Sequence, residues 1–149
     1  MSDLQSFHQA VGKLLQHLGL SGIDLTSEQE VISLAVDERF SVHFGLIDHT
    51  CWFMLADLGI NTPEQSSHCY ADLLRLNQIG GQRWQPVVAL DVEDRLCCWV
   101  RIPLQSYDVP VSSGAFDALM TTVEALLSRN QAPLPQAFIP YRYMKPGFV

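Results

Sequence analysis

Apolar residues return along residues 2–18 at steps of three and four. Leu4, Phe7, Val11, Leu14 and Leu18 form one stripe and Leu15 widens it, the period of a helix with one buried face. Ser2 and Gln5 stand at capping-box spacing and Gly19 sits where a helix ends, so both boundaries are predicted with it. After Ser21-Gly22 and Leu25-Thr26-Ser27, which favour turns, the period changes to two. Three β-like runs, residues 30–37, 39–47 and 50–58, are separated by one or two residues near Asp37-Glu38 and Asp48-His49, lengths that suit tight hairpins and an antiparallel meander. Residues 59–63 break the pattern. A second helix is predicted over residues 65–79, with Ser66 as its N-cap, Tyr70, Leu73, Leu74 and Asn77 on one face, and Gly80-Gly81 as its stop. Strands over residues 84–92 and 95–104 follow, joined through Glu93-Asp94. The last predicted helix covers residues 113–128, with Phe116, Leu119, Met120, Val123 and Leu127 as its stripe and Asp117 in its first turn. The order α-β-β-β-α-β-β-α, with hairpin-linked strands, predicts an α+β domain: one antiparallel, twisted sheet and three helices.

From Gln131 the pattern stops. Pro133, Pro135, Pro140 and Pro146 alternate with Phe138, Tyr141, Tyr143 and Phe148, a density of proline that prevents helix and central strand. The chain therefore divides into a domain over residues 1–130 and a proline- and aromatic-rich arm over 131–149. The 149 residues carry a net charge of −7, with 48% hydrophobic and 17% charged residues, which suits one compact domain and gives no broad cationic face for nucleic acid. Residues 129–149 contain Arg129, Arg142 and Lys145 and no acid, leaving residues 1–128 at −10. The N-terminus has neither a basic region nor an apolar run, and no stretch of 18 apolar residues occurs. A cytosolic protein without membrane insertion is expected.

Two strands have an apolar face to spare. In the last, Leu96, Cys98, Val100 and Ile102 alternate with Cys97 and Trp99, which stand between Arg95 and Arg101; in the third, Cys51, Phe53 and Leu55 alternate with Trp52, Met54 and Ala56. A sheet covered on one side needs one apolar face per strand, so the second face calls for a subunit or partner, or else for helices on both sides.

Polar chemistry is sparse. There is no C-x-x-C or H-x-x-x-H pair for zinc, no glycine-rich phosphate loop, and the acidic pairs Asp37-Glu38 and Glu93-Asp94 lie at hairpin turns. No cofactor is implied. Cys51, Cys69, Cys97 and Cys98 read as reduced thiols, with Cys97 and Cys98 on opposite faces of a strand. A thiol enzyme using Cys69 or Cys51 with a histidine is the weakest reading, because His68 and Cys69 are adjacent on a helix and do not face each other.

The element order, with Leu14-Leu15-Gln16-His17-Leu18-Gly19-Leu20, Phe53-Met54-Leu55-Ala56-Asp57-Leu58-Gly59, Leu73-Leu74-Arg75-Leu76-Asn77, Val87-Val88-Ala89-Leu90-Asp91 and Leu96-Cys97-Cys98-Trp99-Val100, resembles the class I chaperones of bacterial type III secretion, the Tir and Yop-effector chaperones. The resemblance implies a cytosolic, non-enzymatic homodimer that holds the N-terminal segment of a secreted effector in extended form and keeps it secretion-competent. It implies dimer contacts at Tyr70, Leu73, Leu74, Leu76, Val88, Leu90 and Val100, and effector contacts at Phe7, Val11, Trp52, Met54 and Trp99. Secretion-apparatus or regulatory proteins are further partners on this reading. The alternative keeps the fold but makes the protein a regulator that sequesters a transcriptional anti-activator or a small secretion component. The arm departs from a family whose members often end soon after the last helix.

Overall fold

A computed structural model describes residues 2–20, 22–61, 67–105 and 108–129. The elements follow the expected order: α1 (Asp3–His17), β1 (Val31–Val36), β2 (Phe40–Leu46), β3 (Cys51–Asn61), α2 (Ser67–Arg75), β4 (Val87–Leu90), β5 (Arg95–Pro103) and α3 (Val109–Arg129). One antiparallel five-stranded sheet has the order β1-β2-β3-β5-β4.

Local signals set most boundaries. At the start of α1 the Gln5 amide donates to Ser2 Oγ at 3.2 Å and the Ser2 amide to Gln5 Oε1 at 2.9 Å. At its end Gly19 adopts φ 82°, and the Leu20 and Gly19 amides return to the carbonyls of Leu15 and Gln16, the Schellman pattern that glycine permits. The β1–β2 turn holds Asp37 and Glu38 at positive φ (50° and 57°) and closes with the Arg39 amide donating to Val36. Asp48 builds the β2–β3 turn: its Oδ1 accepts from the Thr50 amide at 2.7 Å, the Thr50 hydroxyl at 2.5 Å and the Cys51 amide at 3.2 Å.

Those Thr50 and Cys51 donors hold the Asp48 carboxyl well below the usual carboxylate range, at about 2. A depressed folded-state value means that the turn's contribution is complete above the unfolded carboxyl value near pH 4 and is lost as pH falls towards about 2. The urea midpoint of the wild type is expected to fall over that window. Asp48→Asn should start lower at neutral pH and show a shallower decline; parallel curves for the two proteins would contradict this.

Four elements differ by more than one residue from the sequence expectation, the first being β4, which is confined to Val87–Leu90 where a strand over residues 84–92 was expected. β3 runs past Leu58 to Asn61, because Gly59 at φ 62° absorbs a register irregularity between Asp57 and Asn61. α2 ends at Arg75 rather than residue 79, and its expected first residues and Ser66 cap lie outside the described residues. α3 starts at Val109, since Pro110 is tolerated in a first turn whose amides need no helical partner; Asp117 therefore sits well inside the helix. The expected arm, 131–149, also lies outside the described residues.

The pairing registers place even-numbered strand residues on one face throughout: Ile32 opposite Phe44, Val42 opposite Ala56, Met54 opposite Val100, Val88 opposite Cys98. This face meets α1 and α3. Phe7, Val11 and Leu14 of α1 and Leu119, Val123 and Leu126 of α3 pack with it into the core. Trp52 lies at the centre, with its ring edge-on to Phe7 at 5.8 Å and tilted to Phe44 at 6.3 Å. Arg39 in the β1–β2 turn ties α3 to the sheet end through Glu124 at 2.6 Å.

Candidate protein-binding surface

Odd-numbered strand residues form the second face of the sheet, turned away from α1 and α3. At its centre Phe53, Leu55, Val87, Ala89 and Trp99 are half-buried. Gly45 allows this packing: any side chain there would collide with the Phe53 ring, which lies across it on the neighbouring strand. Arg101 stacks on Trp99 with its guanidinium carbon 5.4 Å from the ring centroid, and His43 Nδ1 and Ser33 Oγ share a hydrogen bond of 2.8 Å towards β1. Apolar rings with a polar margin are the composition of a protein-contact patch.

The placement of the expected contact residues is mixed. Trp99 is on the outward face, as anticipated. Trp52 and Met54, expected on an outward strand face, are each 0% exposed, and that placement is corrected; Phe7 and Val11 of α1, also expected as contacts, are likewise 0% exposed, and all four fill the space between sheet and helices. Both faces of β3 are apolar, so alternation within β3 could not choose between them. Phe53 and Leu55 are the outward residues missed. Two signals pointed to them: the apolar Phe40, Val42 and Phe44 against Ser41 and His43 in β2, and the charge of Asp57 on the odd face of β3.

Of the expected dimer residues, Tyr70 (41%) and Leu74 (68%) of α2 are exposed, joined by Ile79 (80%) just beyond it. Leu73, Leu76 and Leu90 are partly buried against the core, whereas Val88 and Val100 are buried on the helix-facing side of the sheet. That burial corrects the expectation that these two valines lie at a contact surface.

The two sheet edges differ. In β4, Val88 turns its backbone away from β5, and the Asn77 carboxamide takes both groups, accepting from the Val88 amide at 2.8 Å and donating to its carbonyl at 2.9 Å. The next outward position, Pro86, has no N–H. Asn77 and Pro86 thus blunt this edge against strand pairing. β1 is the opposite case. The Ile47 amide bonds Cys51 of β3, so odd residues of β2 face β3 and even ones face β1. The β1 register then turns the backbone groups of Val31, Ser33 and Ala35 outward. Gln29 Nε2 takes the Val31 carbonyl at 2.9 Å, and among the described residues the rest of the edge is left as a template for an added strand.

Catalytic potential is low at Cys97 and Cys98. Burial pushes the Cys98 thiol up to about 12 and raises Cys97, which faces the other side of the sheet with Sγ 3.5 Å from the Ala89 carbonyl. Both stay protonated, the opposite of an activated thiolate. The side chain of Cys69 lies outside the described residues. Among the described residues no group of three metal-ligating side chains comes together, and no helix is long and apolar enough to cross a membrane.

The family model of the Tir chaperone protein (CesT) family matches residues 9–127. In fold, the chain is similar to a chain of the ExoT–SpcS complex from Pseudomonas aeruginosa, with TM-score 0.61 and 21% identity over 83% of this chain and 97% of the other. It is similar also to a chain in the structure of the Yersinia pestis type III secretion chaperone SycH with a stable fragment of YscM2, with TM-score 0.60 and 17% identity over 81% and 96%. The HopA1–SchA chaperone–effector complex is a third likeness, with TM-score 0.61 and 13% identity over 81% and 92%. No curated protein sequence matches the chain.

Proposed function

The chain belongs to the Tir chaperone protein (CesT) family, and from that premise we propose that it holds the N-terminal segment of a secreted effector in extended form, soluble and ready for type III secretion. The observation that carries this reading is the edge of β1, open among the described residues, on a sheet whose second, partly apolar face is turned away from α1 and α3. An extended client adding to β1 gains backbone hydrogen bonds from Ser33 and Ala35; β3 and β5 lie about 14 and 19 Å further across the sheet, so it is a following part of the client that covers the surface around Phe53, Leu55 and Trp99. The HopA1–SchA structure is a chaperone–effector complex, and the same kind of partner is proposed here. The work is binding without catalysis, in the bacterial cytoplasm.

A homodimer is part of the proposal. Tyr70 and Leu74 of α2 are its contact residues, with Leu73 and Leu76 supporting them from the core side. A stable dimer should bury about 1,200–2,000 Å².

The test is co-expression with the N-terminal segments, of roughly 50–100 residues, of secreted effectors encoded beside this gene; segments of that length can bury the area seen in coupled folding and binding. One segment is expected to co-purify and become protected from protease. Trp99→Ala should weaken that complex by at least about 2 kcal/mol, the scale of an interface hot spot, with little change in thermal stability. A chain that binds none of these segments, or a Trp99→Ala affinity in calorimetry equal to wild type, would remove the reading.

A further inference from the structure

The sheet end that carries the β1–β2 and β4–β5 turns is acidic. The registers bring Asp37, Glu38, Asp57, Asp91, Glu93 and Asp94 to this end. The arginines gathered among them are Arg39, paired with Glu124 at 2.6 Å, and Arg95, paired with Asp91 at 2.9 Å, Glu93 at 3.3 Å and Asp57 at 3.9 Å. At this end lies an open recess of about 300 Å³, lined by Ala35, Ser41 and Gly59, by the edges of the buried Phe40 and Leu58, and by the charged Glu38, Asp57 and Arg39. A recess with apolar edges and flanking acids fits an aromatic ring with basic neighbours.

Such a segment is tethered at the same place. α3 brings Glu124 onto Arg39, a residue that also borders the cavity, and ends five residues later, about 7.5 Å further along the helix axis. The chain continues as residues 130–149, with Phe138, Tyr141, Arg142, Tyr143 and Lys145 and no acid. A dozen residues can span up to about 40 Å, so residues 138–145 can reach the cavity with length to spare.

We propose that residues 138–145 dock on the acidic end of their own domain, with an aromatic side chain in the cavity and Arg142 and Lys145 facing Glu38 and Asp57. Tethering raises the effective concentration of the segment, so modest contacts suffice. The docking needs no client. Its consequence for one rests on the function proposed above: Ala35 belongs both to the cavity and to the open β1 edge, so the docked segment stands beside the ground a client strand would occupy.

The experiment is amide NMR on the full chain without any client. Arg142→Glu with Lys145→Glu should move the signals of Glu38, Ser41 and Gly59 but not those of Thr50 at the far sheet end, and should reduce the ratio of docked to undocked chain by about tenfold, on the scale of two lost surface ion pairs. Raising salt should move the wild type towards the variant. Asp57→Asn should release the same segment from the other side. Unchanged cavity amides in the charge-reversed chain would overturn the proposal. So would shifts confined to the Phe53 and Trp99 surface, or shifts that vanish on dilution, which would place the segment on a second copy. Because no effector enters the measurement, its failure leaves the chaperone reading standing, and the co-expression result leaves this one standing.

Discussion

Trp52→Ala is expected to lower folding stability by about 3–5 kcal/mol, a large share of the 5–15 kcal/mol typical of a domain. The indole is wholly buried between α1 and the sheet, edge-on to Phe7 and beside Phe44, so truncation leaves a cavity that three rigid elements cannot close. Its Nε1–H has no hydrogen-bond partner among the described residues. Trp52→Phe, which keeps a ring and removes the buried orphan donor, should therefore cost less than about 1.5 kcal/mol. Urea unfolding of both variants checks this. An alanine variant as stable as the wild type would show that Trp52 is not the centre of the core, and loss of client binding without loss of stability would return it to a contact role.

Leu74→Asp is expected to abolish self-association while leaving the domain folded. Leu74 is 68% exposed on α2, so in a free protomer an aspartate there costs little; in a dimer contact it would be an unpaired charge in an apolar setting. A loss of about 3 kcal/mol corresponds to roughly a hundredfold weaker dimer. Sedimentation at concentrations where the wild type is dimeric should show a monomer with native circular dichroism. Leu73→Asp is the less discriminating change, because Leu73 packs against the core and its substitution also disturbs the fold. A dimer that survives Leu74→Asp would move the interface off α2.

Much of the architecture was legible along the chain. Ser2 with Gln5 and the glycine at 19 marked both ends of α1, and the acidic pairs at 37–38 and 93–94 marked two hairpins, because caps and turns are made by residues within a few positions of one another. The apolar strip of Leu96, Cys98, Val100 and Ile102 named the core face of β5 correctly. β3 was less transparent: large apolar residues stand on both its faces, and the hints from Asp57 and from the alternation in β2 became decisive only through the pairing of Trp52 with Leu46 and Ile102, which turns Trp52 to the helices. The start of α3 was obscured by Pro110, which reads as a breaker in sequence yet is at home in a first turn.

Sequence alone thus determined the number, type and order of the elements, the surplus of apolar strand faces and the contrast between an acidic domain and a basic tail. Each depends on periodicity, composition or near neighbours. Tertiary structure decided which apolar face is used up in the core. It also decided that Asn77 seals one sheet edge while β1 leaves the other open among the described residues, and that carboxylates from β3 and two separate turns meet at one end beside the exit of α3. Those outcomes depend on strand register and on pairs such as Asn77 with Val88 or Arg39 with Glu124, and no local pattern encodes how distant segments are brought side by side.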